Sequence, residues 1–80
     1  MKKTRKRKNI TGAAIQRIRM AAEPKITQDD LVGRLARHGV QVNQSQIAKI
    51  ESGERPVLDY ELAAIAKALK VSVQLLFLQG

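Results

Sequence analysis

Four times along these 80 residues an apolar side chain is followed by Ser, Thr or Asn and then, four positions on, by a second apolar residue. The sets are Ile10-Thr11 with Ile15, Ile26-Thr27 with Leu31, Val42-Asn43 with Ile47, and Val71-Ser72 with Leu76. This is the spacing of a helix N-cap whose preceding residue closes onto the fourth helical position, so each set marks the start of a short helix. Asp30 and Gln46 stand where they can reach back and complete a capping box. Leu58-Asp59 opens a further helix on the same plan, with the smaller Ala63 as its contact. The pattern predicts helices over Gly12 to Ala22, Gln28 to Arg37, Gln44 to Ser52, Tyr60 to Leu69 and Val73 to Leu78. Pro24, Gly39, Gly53 with Pro56, and Lys70 separate them. Gly53 is a natural left-handed terminator and Lys70 a poorer one.

Start signals at this density leave no stretch for a sheet, and the expected fold class is all-α with five helices. A chain of this length forms one domain and buries roughly 60 to 65 per cent of its unfolded surface. With no Cys, one Tyr and one Phe, the core must be aliphatic, and neither a disulfide nor a thiolate metal site can reinforce it. The same lack of Cys fits a cytoplasmic protein. Helical spacing selects Ile15, Ile18, Leu31, Leu35, Ile47, Ile50, Leu62, Ile65, Leu69 and Leu76 for that core.

The formal net charge of +8 is concentrated at one end. Residues 1–25 hold nine Lys or Arg against the single acid Glu23, whereas residues 26–80 hold six of each sign. Residues 1–9 read as a disordered basic arm, with Lys2, Lys3, Arg5, Lys6, Arg7 and Lys8, ahead of a domain over residues 10–80. A signal peptide is excluded because Thr11 and Gly12 break the apolar stretch and Gln16 and Arg17 end it. A membrane-surface helix lacks apolar residues among the charges. A nucleic-acid arm and a solubility tail both fit what remains.

The third helix carries the candidate chemistry. At about 100° per residue, Ile47, Ile50 and Glu51 share one side, with Ser45 and Lys49 opposite and Ala48 between. The outward face, joined by Gln44 at the helix start, is small, polar and basic. Gln pairs bidentately with adenine, Lys reaches guanine or phosphate, and an Ala methyl meets a thymine methyl. The same face also reads as an ordinary solvated surface.

The sequence resembles the Cro and phage-repressor type of helix-turn-helix regulators, also called Xre-type, over roughly residues 10–78. The resemblance is carried by Gly12, Ile15 and Ile18-Arg19, by Thr27-Gln28 and Leu31, and by Ile47, Ile50, Glu51, Gly53 and Pro56. Ala66 to Leu69, Val71-Ser72 and Leu75-Leu76 follow the family's closing "iAkaLgvs…Ll" pattern. It implies a lambda-repressor-like fold of a bacterial or phage transcriptional regulator, a repressor, binding double-stranded DNA as a homodimer. By position it implies base reading by Gln44, Ser45, Ala48 and Lys49, backbone contacts by Gln28, Ser52 and Arg55, and a buried salt bridge between Arg19 and Glu51. The chain departs from the family in an expanded turn, His38-Gly39-Val40-Gln41-Val42, in a longer first connection with Pro24, and in Val32 where a small Ala is usual.

An enzyme is not expected. His38 is the single His and sits in a turn, and Asp29 and Asp30 stand at a helix start, where carboxylates serve the dipole and the cap. No cofactor or metal ligand set is discernible. The stacking aromatics of single-strand RNA binders are absent. An antitoxin-type module that also holds a protein partner such as a toxin is the alternative, since Val73, Leu75, Leu76, Phe77 and Leu78 are enough for both a core and a contact surface.

Overall fold

The computed structural model describes residues 7–78, and all regular structure among them is helical. Four α-helices, α1 (Gly12–Ala21), α2 (Gln28–Arg37), α3 (Gln44–Ser52) and α4 (Asp59–Leu69), are followed by a 3-10 segment, Val73–Phe77. The expected fifth helix is thus a single tight stretch. It is five residues long and Ser72 makes no side-chain cap bond, so nothing sustains the wider α-helical turn.

Two starts are built as the sequence pattern predicts. Thr27 accepts from the Asp30 amide while Asp30 accepts from the Thr27 amide, and Asn43 and Gln46 repeat the exchange. The other starts differ. Thr11 makes no cap bond, because Asn9 takes that place, its Oδ1 accepting from the amides of Thr11 and Gly12 at 3.1 and 2.7 Å. The Thr11 hydroxyl is buried without a partner, and Ile10 is exposed, so that staple stays open. Helix α4 starts at Asp59 itself, with the Leu58 amide donating to Glu61 Oε1 at 3.0 Å.

The core gathers Ile15, Leu31, Leu35, Ile47, Ile50, Ile65, Leu69 and Leu76, with Ile18 and Leu62 half-buried against it. Ile26, Val40 and the small residues Ala64, Ala66 and Ala68 complete it. Helix α1 packs on α3, α2 packs on both α3 and α4, and the 3-10 segment closes over α1 and α4. The approach of α1 to α3 depends on Gly12, since a Cβ there would land on the Ile50 carbonyl oxygen.

Helix α3 ends on Gly53 at φ 85°, the left-handed stop its sequence predicts. Helix α4 ends instead on Lys70, at φ 61° and ψ 42°, where a side chain crowds its own carbonyl. Lys70→Gly is expected to raise stability by about 1 kcal/mol, read as a higher urea midpoint at unchanged slope. An unchanged or lower midpoint would mean the left-handed conformation carries no strain here.

Candidate nucleic-acid interface

The Arg19 and Glu51 side chains meet in the interior as the resemblance implies. Arg19 Nε and Nη2 donate to the two Glu51 oxygens at 2.7 and 2.9 Å, and the third nitrogen, Nη1, donates to the Ile26 carbonyl at 3.0 Å. Both side chains are nearly inaccessible. A buried carboxylate held this way has every strong donor it needs, which offsets the cost of taking it out of water.

From this pair a chain of hydrogen bonds runs outward to the surface. Gln28 Nε2 donates to Glu51 Oε1 at 3.0 Å, and Gln28 Oε1 accepts from Gln44 Nε2 at 2.6 Å. The first residues of α2 and α3 are therefore joined side by side, with the orientation of the Gln28 amide fixed from within. Gln44 keeps its carbonyl oxygen and a second N–H for an external partner. Gln44, Ser45 and Lys49 are exposed and Ala48 is half-buried, while Ile47, Ile50 and Glu51 are inside. The helical wheel thus gives the faces of α3 as they are found.

The backbone-contact candidates have partners within the fold. Arg55 forms a two-pronged ion pair with Glu61, at 2.9 and 3.0 Å, and its Nη1 also donates to the Pro56 carbonyl. Ser52 Oγ lies 3.2 Å from the Lys49 carbonyl and 3.0 Å from Glu54 Oε2. The side chain of Gln28 is committed between Glu51 and Gln44. Of the basic side chains around α3, Lys49 has no carboxylate partner among the described ion pairs.

Lys2, Lys3, Arg5 and Lys6 lie outside the described residues. Arg7, Lys8 and Asn9, assigned by charge to the arm, are fastened to the end of α3. Arg7 Nη2 donates to the Glu51 carbonyl at 3.1 Å and the Lys8 amide to the Gly53 carbonyl at 2.7 Å. Asn9 Nδ2 donates to the carbonyls of Ile50 and Arg55 at 2.9 and 2.7 Å. Asn9 thereby caps α1 with one end of its amide and α3 with the other. Its position three residues ahead of Gly12 was the available signal. The Arg55–Glu61 pair obeys no helical spacing and left no such trace in the sequence.

The Arg55 guanidinium, chiefly by hydrogen bonding, holds the Glu61 carboxyl below its ordinary value of 4.5, and Glu61 in turn raises Arg55. A depressed carboxyl contributes stability that is complete above the unfolded value and is lost as pH falls through the folded one. Wild type should therefore lose stability as pH falls below about 4.5, and Glu61→Gln, weaker at neutral pH, should lose less over that interval. Urea midpoints at pH 6 and pH 3 measure the difference. Equal losses in the two proteins would deny the pair its role.

A family profile described as helix-turn-helix matches residues 15–76. No match was found among curated proteins or among solved structures. Among the described residues no helix is long and apolar enough to cross a membrane.

Proposed function

The chain belongs to the Cro/C1-type, Xre-like helix-turn-helix family of DNA-binding transcription regulators, and we propose that it is a repressor whose helix α3 reads base edges in the major groove. The observation that carries this reading is the hydrogen-bonded series Arg19, Glu51, Gln28, Gln44. A glutamine amide pairs with adenine only if oxygen and nitrogen face N6 and N7 in the right order. Left free in water it samples both orders and loses rotamer entropy on binding. Gln28 supplies the fixed acceptor that turns one Gln44 N–H inward, leaving the oxygen and the second N–H directed out as a matched pair. Ser45, Ala48 and Lys49 then extend the reading face along α3, with Ala48 small enough to let the helix approach a thymine methyl.

Backbone contact falls to the amide of Gln28 at the positive end of α2, to Ser52, and to the rim of Arg55 left uncovered by Glu61. Gln28 thus serves through its main chain, and through its side chain as a positioning residue for Gln44. The arm adds sequence-independent attraction through Lys2, Lys3, Arg5 and Lys6, with Arg7 and Lys8 at its root. Exposed Val73, Leu75, Phe77 and Leu78 supply an apolar edge for a second copy, so that two α3 helices face two half-sites. An antitoxin-type partner would use this same edge, and its copurification with the native protein would favour that second reading.

Selection of bound sites from a random DNA pool tests the proposal, with a two-fold symmetric consensus as the expected result. On that consensus Gln44→Ala should lose about 1 to 3 kcal/mol and relax preference at one position of each half-site. An even fall across all sequences would assign Gln44 to the backbone instead. Deleting residues 2–6 should leave the consensus intact while flattening the slope of log affinity against log salt by about 3 to 4 units, from four phosphate contacts at roughly 0.9 each. Equal slopes would reduce the arm to a solubility tail.

A further inference from the structure

Beyond residue 25 the chain carries six Lys or Arg, and four of them, Arg34, Arg37, Lys67 and Lys70, line a single groove with His38 and Ala68. The groove, of about 270 Å³, lies where the C-terminal turns of α2 and α4 meet, and Arg34 Nη1 ties the two by donating to the Ala68 carbonyl at 2.9 Å. No carboxylate is among its lining residues. The neighbouring groove shares Arg34 and Arg37 and adds Lys25, Asp29 and Asp30, of which Asp30 is engaged by the Thr27 cap.

Helix termini alone do not account for this cluster. The C-terminal end of a helix carries about half a negative charge, so two such ends compensate roughly one of the four cations. Arg34 and Arg37 are also spaced three residues apart on α2, where like charges oppose one another. Asp30, one turn before Arg34, attracts it, so the two helix ends and Asp30 together leave about two of the four cations uncompensated, and an outside anion would relieve them.

The groove is distinct from the edge formed by Gln28 and Gln44. Gln28 and Arg37 are the first and last residues of α2, about 13 Å apart along its axis and about half a turn apart around it. The lining offers no Trp, Tyr or large apolar side chain to anchor a protein partner, and Arg34 is already bonded to the Ala68 carbonyl. Arg37, Lys67 and Lys70 beside the anchored Arg34 instead suit a row of phosphates, bound through charge and release of counterions. We infer that this groove binds the phosphate backbone of a second DNA duplex, so that one protomer holds two DNA segments, one against α3 and another at the far ends of α2 and α4. The first of those segments rests on the function proposed above; the groove itself does not.

Full-length protein bound to an immobilised short duplex carrying its selected site is offered a labelled duplex of unrelated sequence. The comparison is with Arg37→Gln/Lys67→Gln, which spares Arg34 and its bond to Ala68. Occupancy of the immobilised duplex, measured separately, tests the reading by α3. Shifts of the His38 and Ala68 amide resonances, when the unrelated duplex is added to free protein, test the groove without it. The double variant should melt no lower than wild type and occupy the immobilised duplex equally. Its capture of the second duplex should be weaker by about tenfold or more, with a salt slope shallower by about two units. Equal capture and slope, or amide resonances that do not move, would overturn the inference. So would displacement of the duplex from the groove by polyglutamate at lower concentration, which would assign it to an acidic protein.

Discussion

The attitude of α3 depends first on the buried pair of Arg19 and Glu51. Apolar contacts hold the helices together without direction, and Ile15, Leu31, Ile47 and Ile50 would tolerate small rotations of α3 against α2. The ion pair does not. Arg19 spends its three nitrogens on Glu51 and on the Ile26 carbonyl, so α1, α3 and the start of α2 are tied at one point. Removing either partner would leave a charge buried alone, a change that costs about 3 to 5 kcal/mol in comparable sites. The pair is therefore expensive to break, and Glu51 passes its constraint to the surface through Gln28. At the C-terminal end of α3, beside the pair itself, Asn9 and Gly12 fix the helix against α1 by hydrogen bonds and close contact, and at its start Gln44 is held by Gln28. The helix is held at both ends by polar geometry and only along its middle by apolar packing.

Much of this was legible in the sequence, for physical reasons that differ from element to element. Capping boxes at Thr27 and Asn43 are local, involve residues three apart, and are found as their spacing predicts. Helix α1 starts at Gly12 behind Thr11 as the pattern predicts, but the capping bonds come from Asn9, because a staple pattern cannot distinguish a Thr with a local role from an Asn two residues earlier with a distant one. Asn9 is fixed by carbonyls more than forty residues away, and no local signal reports that. The last segment shows the limit of pattern differently: Ser72 has the right spacing to Leu76, yet the stretch is too short to settle as an α-helix. At the candidate site the faces of α3 followed from periodicity alone. The link from Gln28 to Gln44 did not, since it arises from how α2 and α3 cross.

On the proposed reading, the division of charge separates holding DNA from choosing among sequences. The surface of α3 is nearly neutral, with Lys49 its single exposed cation, and Arg55 is largely occupied by Glu61. The proposed discrimination there rests on directed hydrogen bonds and shape, which survive salt better than unscreened attraction does. The dense charge lies instead on the arm, rooted by Arg7 and Lys8 at the end of α3, and in the groove between α2 and α4. A protein arranged like this can be drawn to DNA by parts that carry no sequence information while the proposed reading surface stays free of indiscriminate attraction.

The expanded connection between α2 and α3 fits the same logic. In a short turn the connection itself sets the crossing of the two helices. Here His38 and Gly39 turn back on the end of α2, their amides donating to Leu35 and Ala36, with Gly39 at φ 81°. Val40 then drops into the core, and Asn43 starts α3 afresh with its own capping box. The extra residues are absorbed as a loop anchored on the core through Val40 and Val42. What sets the crossing is the contact of the two helix starts, Gln44 on Gln28 at 2.6 Å, backed by Glu51. The spacing of residues in this loop therefore matters less to the proposed reading surface than the identity of four side chains outside it, Arg19, Gln28, Gln44 and Glu51.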